Sequence, residues 1–396
     1  MRRVTVGDIA QVVSGGTPPR NKPELWGGTI PWVKTGAIDF CTITESNEWI
    51  TEEGLRSSAA RMIPTGTILM AMYGQGKTRG QVAILGIDAA INQACAALLL
   101  QKGCDRDFVY QQLAYRYASI RRMSNSGGQD NLNADLVRSI AFPLPDELEQ
   151  RKIGEVLNTW DRAVRVLEGL IGDRSSRKRG LMQQLLTGRT RFKEFKGEKW
   201  RHCHLGDVVQ AMSRPVAWDE HELYRLASVR RWCGGVFSRE ELRGDQIKVK
   251  KLQTIRTGDF LISHIQAAYG AMALVPKEFD GARVSELYTI LRPKDPKAFD
   301  IRILGYLGQT KRMWYMAIQA SNGFFAERLR LNFDPEEFLR LPVNIPATLA
   351  EQKKIADTME ACDREIELLQ KQLGALKEQK RGLMQKLLTG EIRVKV

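Results

Sequence analysis

Along one stretch of the chain the apolar positions advance by four and three residues in alternation: Ile153, Leu157, Trp160, Val164, Leu167 and Ile171, then Leu181 and Leu185 after polar steps at Arg174 and Lys178. A period near 3.5 lines those side chains along one stripe of a helix, and the stripe is buried when a second helix packs on it. The same chain supplies that second helix. Ile355, Met359, Cys362, Ile366, Leu369, Leu373 and Leu376 keep the rhythm, and Lys380 is a polar step before Leu383 and Leu387. Proline interrupts neither seam. Each runs into Thr-Gly at Gly188 or Gly390, where glycine tolerates the left-handed conformation that ends a helix.

The two seams are copies. Arg179-Gly-Leu-Met-Gln-Gln-Leu-Leu-Thr-Gly188 returns as Arg381-Gly-Leu-Met-Gln-Lys-Leu-Leu-Thr-Gly390, nine of ten positions identical at an offset of 202. At the same offset Glu149-Gln150-Arg151-Lys152-Ile153 meets Glu351-Gln352-Lys353-Lys354-Ile355, and Asp161-Arg162 meets Asp363-Arg364. Antiparallel pairing of the two helices is the expectation. The flanking segments share weaker landmarks, including Val6-Gly7-Asp8 with Leu205-Gly206-Asp207, and Pro64-Thr-Gly66 with Arg256-Thr-Gly258. Both segments then carry β-rich runs (81–85 and 94–100; 271–275 and 287–291), a helical stretch (107–123; 301–318) and a proline-marked exit. The expected layout is a globular domain over 1–146, a helix over 147–190, a second domain over 191–346 and a second helix over 347–396. Its class is α+β: two globular α/β domains related by an internal repeat and joined by two long helices forming an antiparallel coiled coil.

Composition narrows the partner. The 396 residues are 43% hydrophobic and 27% charged, which excludes wholesale disorder, and the formal net charge of +14 favours a polyanion, nucleic acid first. Six scattered cysteines form no CxxC pair, so neither a disulfide framework nor a zinc site is expected, and His202-Cys203-His204 lacks a second ligand pair. No apolar run approaches the ~20 residues of a membrane span. Asp8 breaks any leader-like stretch after Arg2 and Arg3, and a cytoplasmic protein without a membrane partner is expected.

Taken in order and duplicated, these residues resemble the specificity subunit of Type I restriction–modification systems over the whole chain. The carriers are the Gly-Asp openings, Ile30-Pro-Trp-Val-Lys34, the proline followed by Glu-Gln-Arg/Lys-Lys-Ile entering each helix, and the Leu-Leu-Thr-Gly endings. The resemblance implies two target-recognition domains, each reading half of a split site in double-stranded DNA. It implies helices that set the spacing and dock two methyltransferase subunits, with restriction subunits as further partners. It also implies a chain that is not itself an enzyme and holds no cofactor, S-adenosylmethionine and ATP belonging to the partner subunits. From Ile153 to Leu185 is 32 residue steps, or ~48 Å at ~1.5 Å each, which is about 14 base pairs at ~3.4 Å. An asymmetric bipartite target of about that span is expected.

Two other readings stay open. One is a coiled-coil adapter without sequence-specific DNA recognition. The other is an ATP-dependent subunit using Gly76-Lys77-Thr78, the end of a phosphate-loop-like stretch; its opening glycine is alanine (Ala71), and a strand rather than a helix is expected to follow. For base reading, long polar side chains on loops are needed. The candidates are Lys77, Thr78, Arg79, Gln129 and Asn131 in the first domain, and Arg230, Arg231, His264, Gln266, Tyr269, Asn322 and Arg328 in the second. The basic run Arg174-Ser-Ser-Arg-Lys-Arg179, which interrupts the first seam, is expected to be solvated or to face a partner.

Overall fold

The computed structural model describes residues 1–74, 76–123, 131–322 and 332–395, with Asn322 and Asn332 described by backbone alone. Among them are two compact units, one of residues 1–169 with 370–396 and one of residues 170–369. The division cuts through both long helices, Glu147–Leu185 and Leu349–Thr389. Each unit therefore owns one globular domain, half of the helix that follows it and half of the other.

In the first unit a five-stranded sheet has the order Ala10–Ser14, Cys95–Leu100, Ile68–Ala71, Val82–Leu85, Thr42–Ile43. All its neighbours are antiparallel except the short last strand. Ile68–Ala71 is buried on both faces, because alternate side chains of a strand point to opposite sides. Ile68 and Met70 join Phe108, Leu113 and Phe142, while Leu69 and Ala71 join Val33, Leu85 and Ile91. A second sheet runs Trp49–Ile50, Trp26–Val33, Ala89–Ile91, Met62–Ile63, with its central pair parallel.

The second unit repeats this topology, though among the described residues its main sheet has no counterpart of the edge strand 42–43. Val209–Met212, Tyr288–Pro293, Phe260–Ser263 and Met272–Leu274 form one sheet, and Val236–Arg243, Leu223–Val229, Arg283–Ser285 and Leu252–Thr254 the other, again with a parallel central pair. The landmarks shared in sequence have shared jobs. Gly66 (φ +84°) and Gly258 (φ +79°) turn into the equivalent strands 68–71 and 260–263. Asp8 and Asp207 accept hydrogen bonds from the backbone N–H of Thr5 (2.7 Å) and His204 (2.8 Å) at matching short helices. The helical stretch expected over 107–123 is two helices, 106–115 and 117–122, and that over 301–318 is 301–307 and 311–319. The second break has a local cause: the Thr310 side chain caps the following helix by accepting from the Met313 N–H.

Each unit packs its two helical segments antiparallel. In the first, Ile153 and Leu157 are buried with Leu387 and Leu388, Asp161 meets Lys380 and Glu168 meets Lys377. In the second, Ile355 and Met359 are buried with Leu185 and Leu186, and Arg174 meets Glu365. The rest of the expected seam (Trp160, Val164, Leu167, Ile171, Leu181, Cys362, Ile366, Leu369, Leu373, Leu376 and Leu383) is half-buried, as a two-stranded seam leaves it. Gly188 (φ +71°) and Gly390 (φ +83°) follow the helix ends in the left-handed conformation.

One expectation is corrected here. Arg174 and Lys178 are turned into the seam rather than solvated: Lys178 Nζ lies 2.5 Å from Asp363 Oδ1, with its side chain 15% exposed. Arg177 and Arg179 are exposed. The first unit holds the equivalent pair, Lys380 with Asp161 at 2.5 Å. Both helix entries are clamped alike as well. Glu149, 1% exposed, is held bidentately by Arg393, and Glu351, 1% exposed, by Arg191. The Arg393 guanidinium keeps the Glu149 carboxyl below its ordinary range. Gln150 and Gln352 donate to the carbonyls of Pro145 and Pro346, both at 3.0 Å, although the prolines sit five and six residues upstream.

Candidate nucleic-acid interface

In the first unit Lys77, Thr78 and Arg79 lie on the connection between the antiparallel strands 68–71 and 82–85. Since a strand follows, the helix N-terminus that a phosphate loop requires is missing at this place, and the nucleotide-hydrolysis reading loses its geometry. The connection is fixed from the side by the helix 117–122. The Tyr117 hydroxyl donates to the Lys77 carbonyl, and Arg121 donates to the Gly76 carbonyl. Gly80, at φ +83°, leaves room for Ile120, which a Cβ would meet at 3.2 Å. Lys77 is thereby presented exposed on an anchored backbone, with Thr78 half-buried beside it.

Arg79 does something else. It is half-buried, and its guanidinium donates to the Arg121 carbonyl at 2.9 Å, so it ties the loop to the helix. Asn131 is half-buried and adjoins this loop, because the next residue, Leu132, donates its N–H to the Met72 carbonyl at 3.0 Å. Gln129 lies outside the described residues.

In the second unit Arg230 and Arg231 are exposed on the turn that joins strands 223–229 and 236–243. The turn is braced by N–H donation from Arg230 to the Gly235 carbonyl, from Trp232 to Tyr269 and from Cys233 to Gly270, at 2.8 to 3.0 Å. Arg230 sits 4.5 Å over the Phe237 ring and Arg231 4.8 Å over the Tyr269 ring. Tyr269 is thus brought to the arginine turn, and the half-buried Gln266 accepts its N–H at 3.0 Å. His264 is also half-buried: its Nε2 pairs with the Thr289 hydroxyl at 2.7 Å, and burial lowers its pKa from the ordinary value. Asn322 is placed on a short strand, Ser321–Asn322, by backbone alone, and Arg328 lies outside the described residues.

Trp232 escaped the sequence reading. Its side chain is 62% exposed at the apex of the arginine turn, with a left-handed backbone (φ +58°) continued by Cys233 (φ +52°). No propensity singles out such a residue; two arginines followed by a tryptophan in a loop was the available signal. His202 and His204 are exposed on one face of their strand while Cys203 is buried on the other, so the three do not converge. Among the described residues no group of three His, Cys, Asp or Glu side chains is placed to hold a metal ion, and no helix is long and apolar enough to cross a membrane.

The chain thus combines a duplicated mixed α/β domain, antiparallel helical pairing within each unit and cationic loops on each domain. The family described as the Type I restriction modification DNA specificity domain matches residues 1–171 and 197–378, and the chain belongs to that family. The specificity subunit of Type I restriction enzyme MjaVIII from Methanocaldococcus jannaschii is 20% identical over 418 residues, covering 99% of this chain and 93% of that protein. The EcoR124I/EcoR124II specificity subunit of Escherichia coli is 28% identical over 173 residues, 42% of each chain, so this match spans less than half of that relative. Among solved structures, the S subunit of a Type I restriction–modification system from M. genitalium shares the fold over 98% of this chain and 96% of its own, with a TM-score of 0.60 at 13% identity. A chain from a structure of Type I restriction–modification complex assembly and conformational transition aligns over 99% and 98%, with a TM-score of 0.57 at 15% identity. These matches place the chain among Type I specificity subunits.

Proposed function

We propose that each globular domain reads one half of an asymmetric, split site in double-stranded DNA, and that the long helices set the gap and dock two methyltransferase subunits. The observation that carries this is one topology used twice beneath unlike loops: an anchored Lys77 hairpin in one unit, an Arg230–Arg231 turn in the other. A shared scaffold with divergent cationic loops is what two different half-sites require, because phosphate contacts position a protein and base contacts specify the sequence. S-adenosylmethionine and ATP would act on the methyltransferase and restriction subunits, and the assembly would be cytoplasmic. A coiled-coil adapter remains the rival. Competition binding of the complex with its methyltransferase partner distinguishes them: log affinity should fall with log salt, and one duplex should outcompete random DNA by at least ~10³-fold. Equal competition by all duplexes would leave the adapter.

A further inference from the structure

The turn 230–235 spends backbone strain on a side chain that the fold does not bury. Trp232 and Cys233 are consecutive left-handed residues without being glycine, and such a conformation persists only where neighbours over-determine it. The neighbours are in place. Beyond the two N–H bonds to Tyr269 and Gly270, the Cys233 thiol donates to the Gly308 carbonyl at 2.9 Å and accepts from the Trp314 indole N–H at 3.4 Å. Gly270 (φ +66°) admits Trp314, whose ring a Cβ would meet at 2.8 Å. The Trp232 ring leans edge-on against Tyr269 (6.2 Å) and tilted against Trp314 (5.3 Å), a rigid platform that still leaves it 62% exposed.

The first unit shows what the alternative looks like. Its corresponding connection, residues 34–48, contains no Trp or Arg, and its left-handed Phe40 (φ +51°) packs edge-on to Tyr117 at 5.2 Å, half-buried. The same backbone device serves the core there and solvent here. Two exposed guanidiniums immediately precede the indole, each held over a ring, and among the described residues neither is paired with a carboxylate. Flat aromatic surface beside fixed positive charge fits polyanions that offer ring faces, with the charge meeting phosphate and the ring meeting a base.

We infer that Trp232 is a stacking wedge that opens a base step in the second unit's half-site, with Arg230 and Arg231 seating the adjacent phosphates. The inference rests on the DNA-reading function proposed above. Its test uses the complex with the methyltransferase partner and its target duplex, with 2-aminopurine placed in turn at each adenine of both half-sites. The wild-type complex should raise the fluorescence at a step in one half-site. Trp232→Ala should abolish that rise and weaken binding to the target about tenfold or more, while Trp232→Phe keeps the rise and most of the affinity, with thermal melting unchanged in both. A Trp232→Ala complex that prefers the target and raises the signal as the wild type does would overturn the inference and leave the function standing. Loss of methyltransferase binding with the DNA signal intact would also overturn it, making the turn a protein contact. A wild-type complex with no preferred duplex at all would remove the function first and the wedge with it.

Discussion

Replacing Asp161 by alanine should cost the first unit about 2–3 kcal/mol. The carboxylate accepts from Lys380 Nζ at 2.5 Å and from Gln111 Nε2 at 2.6 Å. The Lys380 and Asp161 side chains are 17% and 23% exposed, and Gln111 is fully buried. An exposed pair is worth at most about 1 kcal/mol, whereas removing one partner of a fully buried pair costs ~3–5 kcal/mol. This pair lies between those limits, at about 2 kcal/mol, and the lost Gln111 bond, whose Nε2 keeps only Asn158 Oδ1 at 3.3 Å, adds up to ~1 kcal/mol. Asp363 pairs with Lys178 and also accepts from the Tyr306 hydroxyl at 3.0 Å, but its side chain is 44% exposed; its removal should cost less, about 1–2 kcal/mol. Replacing both members by apolar residues, Asp161→Leu with Lys380→Met, should restore most of the loss, because no charge is left uncompensated. A single unfolding midpoint is ill-defined for a chain of two units, so the assay is native-state hydrogen exchange at amides of each unit under graded urea. A loss below ~0.5 kcal/mol for Asp161→Ala, or a larger loss for Asp363→Ala, would refute the reasoning.

Three further outcomes follow from the same geometry. Burial holds the folded pKa of His264 below its ordinary value, so the unfolded chain takes up its proton first as the pH falls. The second unit should lose stability below about pH 6.5 and be unaffected by this residue above it; His264→Gln should flatten that acid slope, and an unchanged slope counts against it. Lys77→Ala removes an exposed cation from the anchored loop assigned to one half-site; it should lower the salt slope of DNA binding by about one and relax sequence preference in that half-site alone. A four-residue turn inserted after Gly169, matched by one after Lys371, adds ~6 Å of helix and should widen the unread gap of the methylated motif by about two base pairs. An unchanged gap would end the role of the helices as a spacer.

The long helices were legible because a 3.5-residue period survives any amount of solvent exposure: Val164 and Leu373 are only half-buried, yet both mark the seam. Lys178 and Lys380 were harder. A lysine on an apolar stripe reads as a break until the partner aspartate across the seam is known, and the shared 202-residue offset of both pairs was the only hint. Arg79 failed differently: its neighbours in sequence describe a cationic loop, but the acceptor that turns it inward is a backbone carbonyl forty-two residues later. Tyr117 and Arg121, which fix the Lys77 loop, lie on a helix whose periodicity says nothing of what it braces. Trp232 depends on paired left-handed residues that no propensity foretells.

The central claim is that this chain directs methylation to a split, asymmetric DNA site. Co-expression with its methyltransferase partner in a methylation-free host, followed by genome-wide mapping of modified bases, tests it most directly, with the methyltransferase alone as the control. The account predicts a new two-part motif of unlike halves with a fixed gap, present only when both chains are made. A stable complex that marks no motif, or one that marks the same sites as the methyltransferase alone, would contradict it.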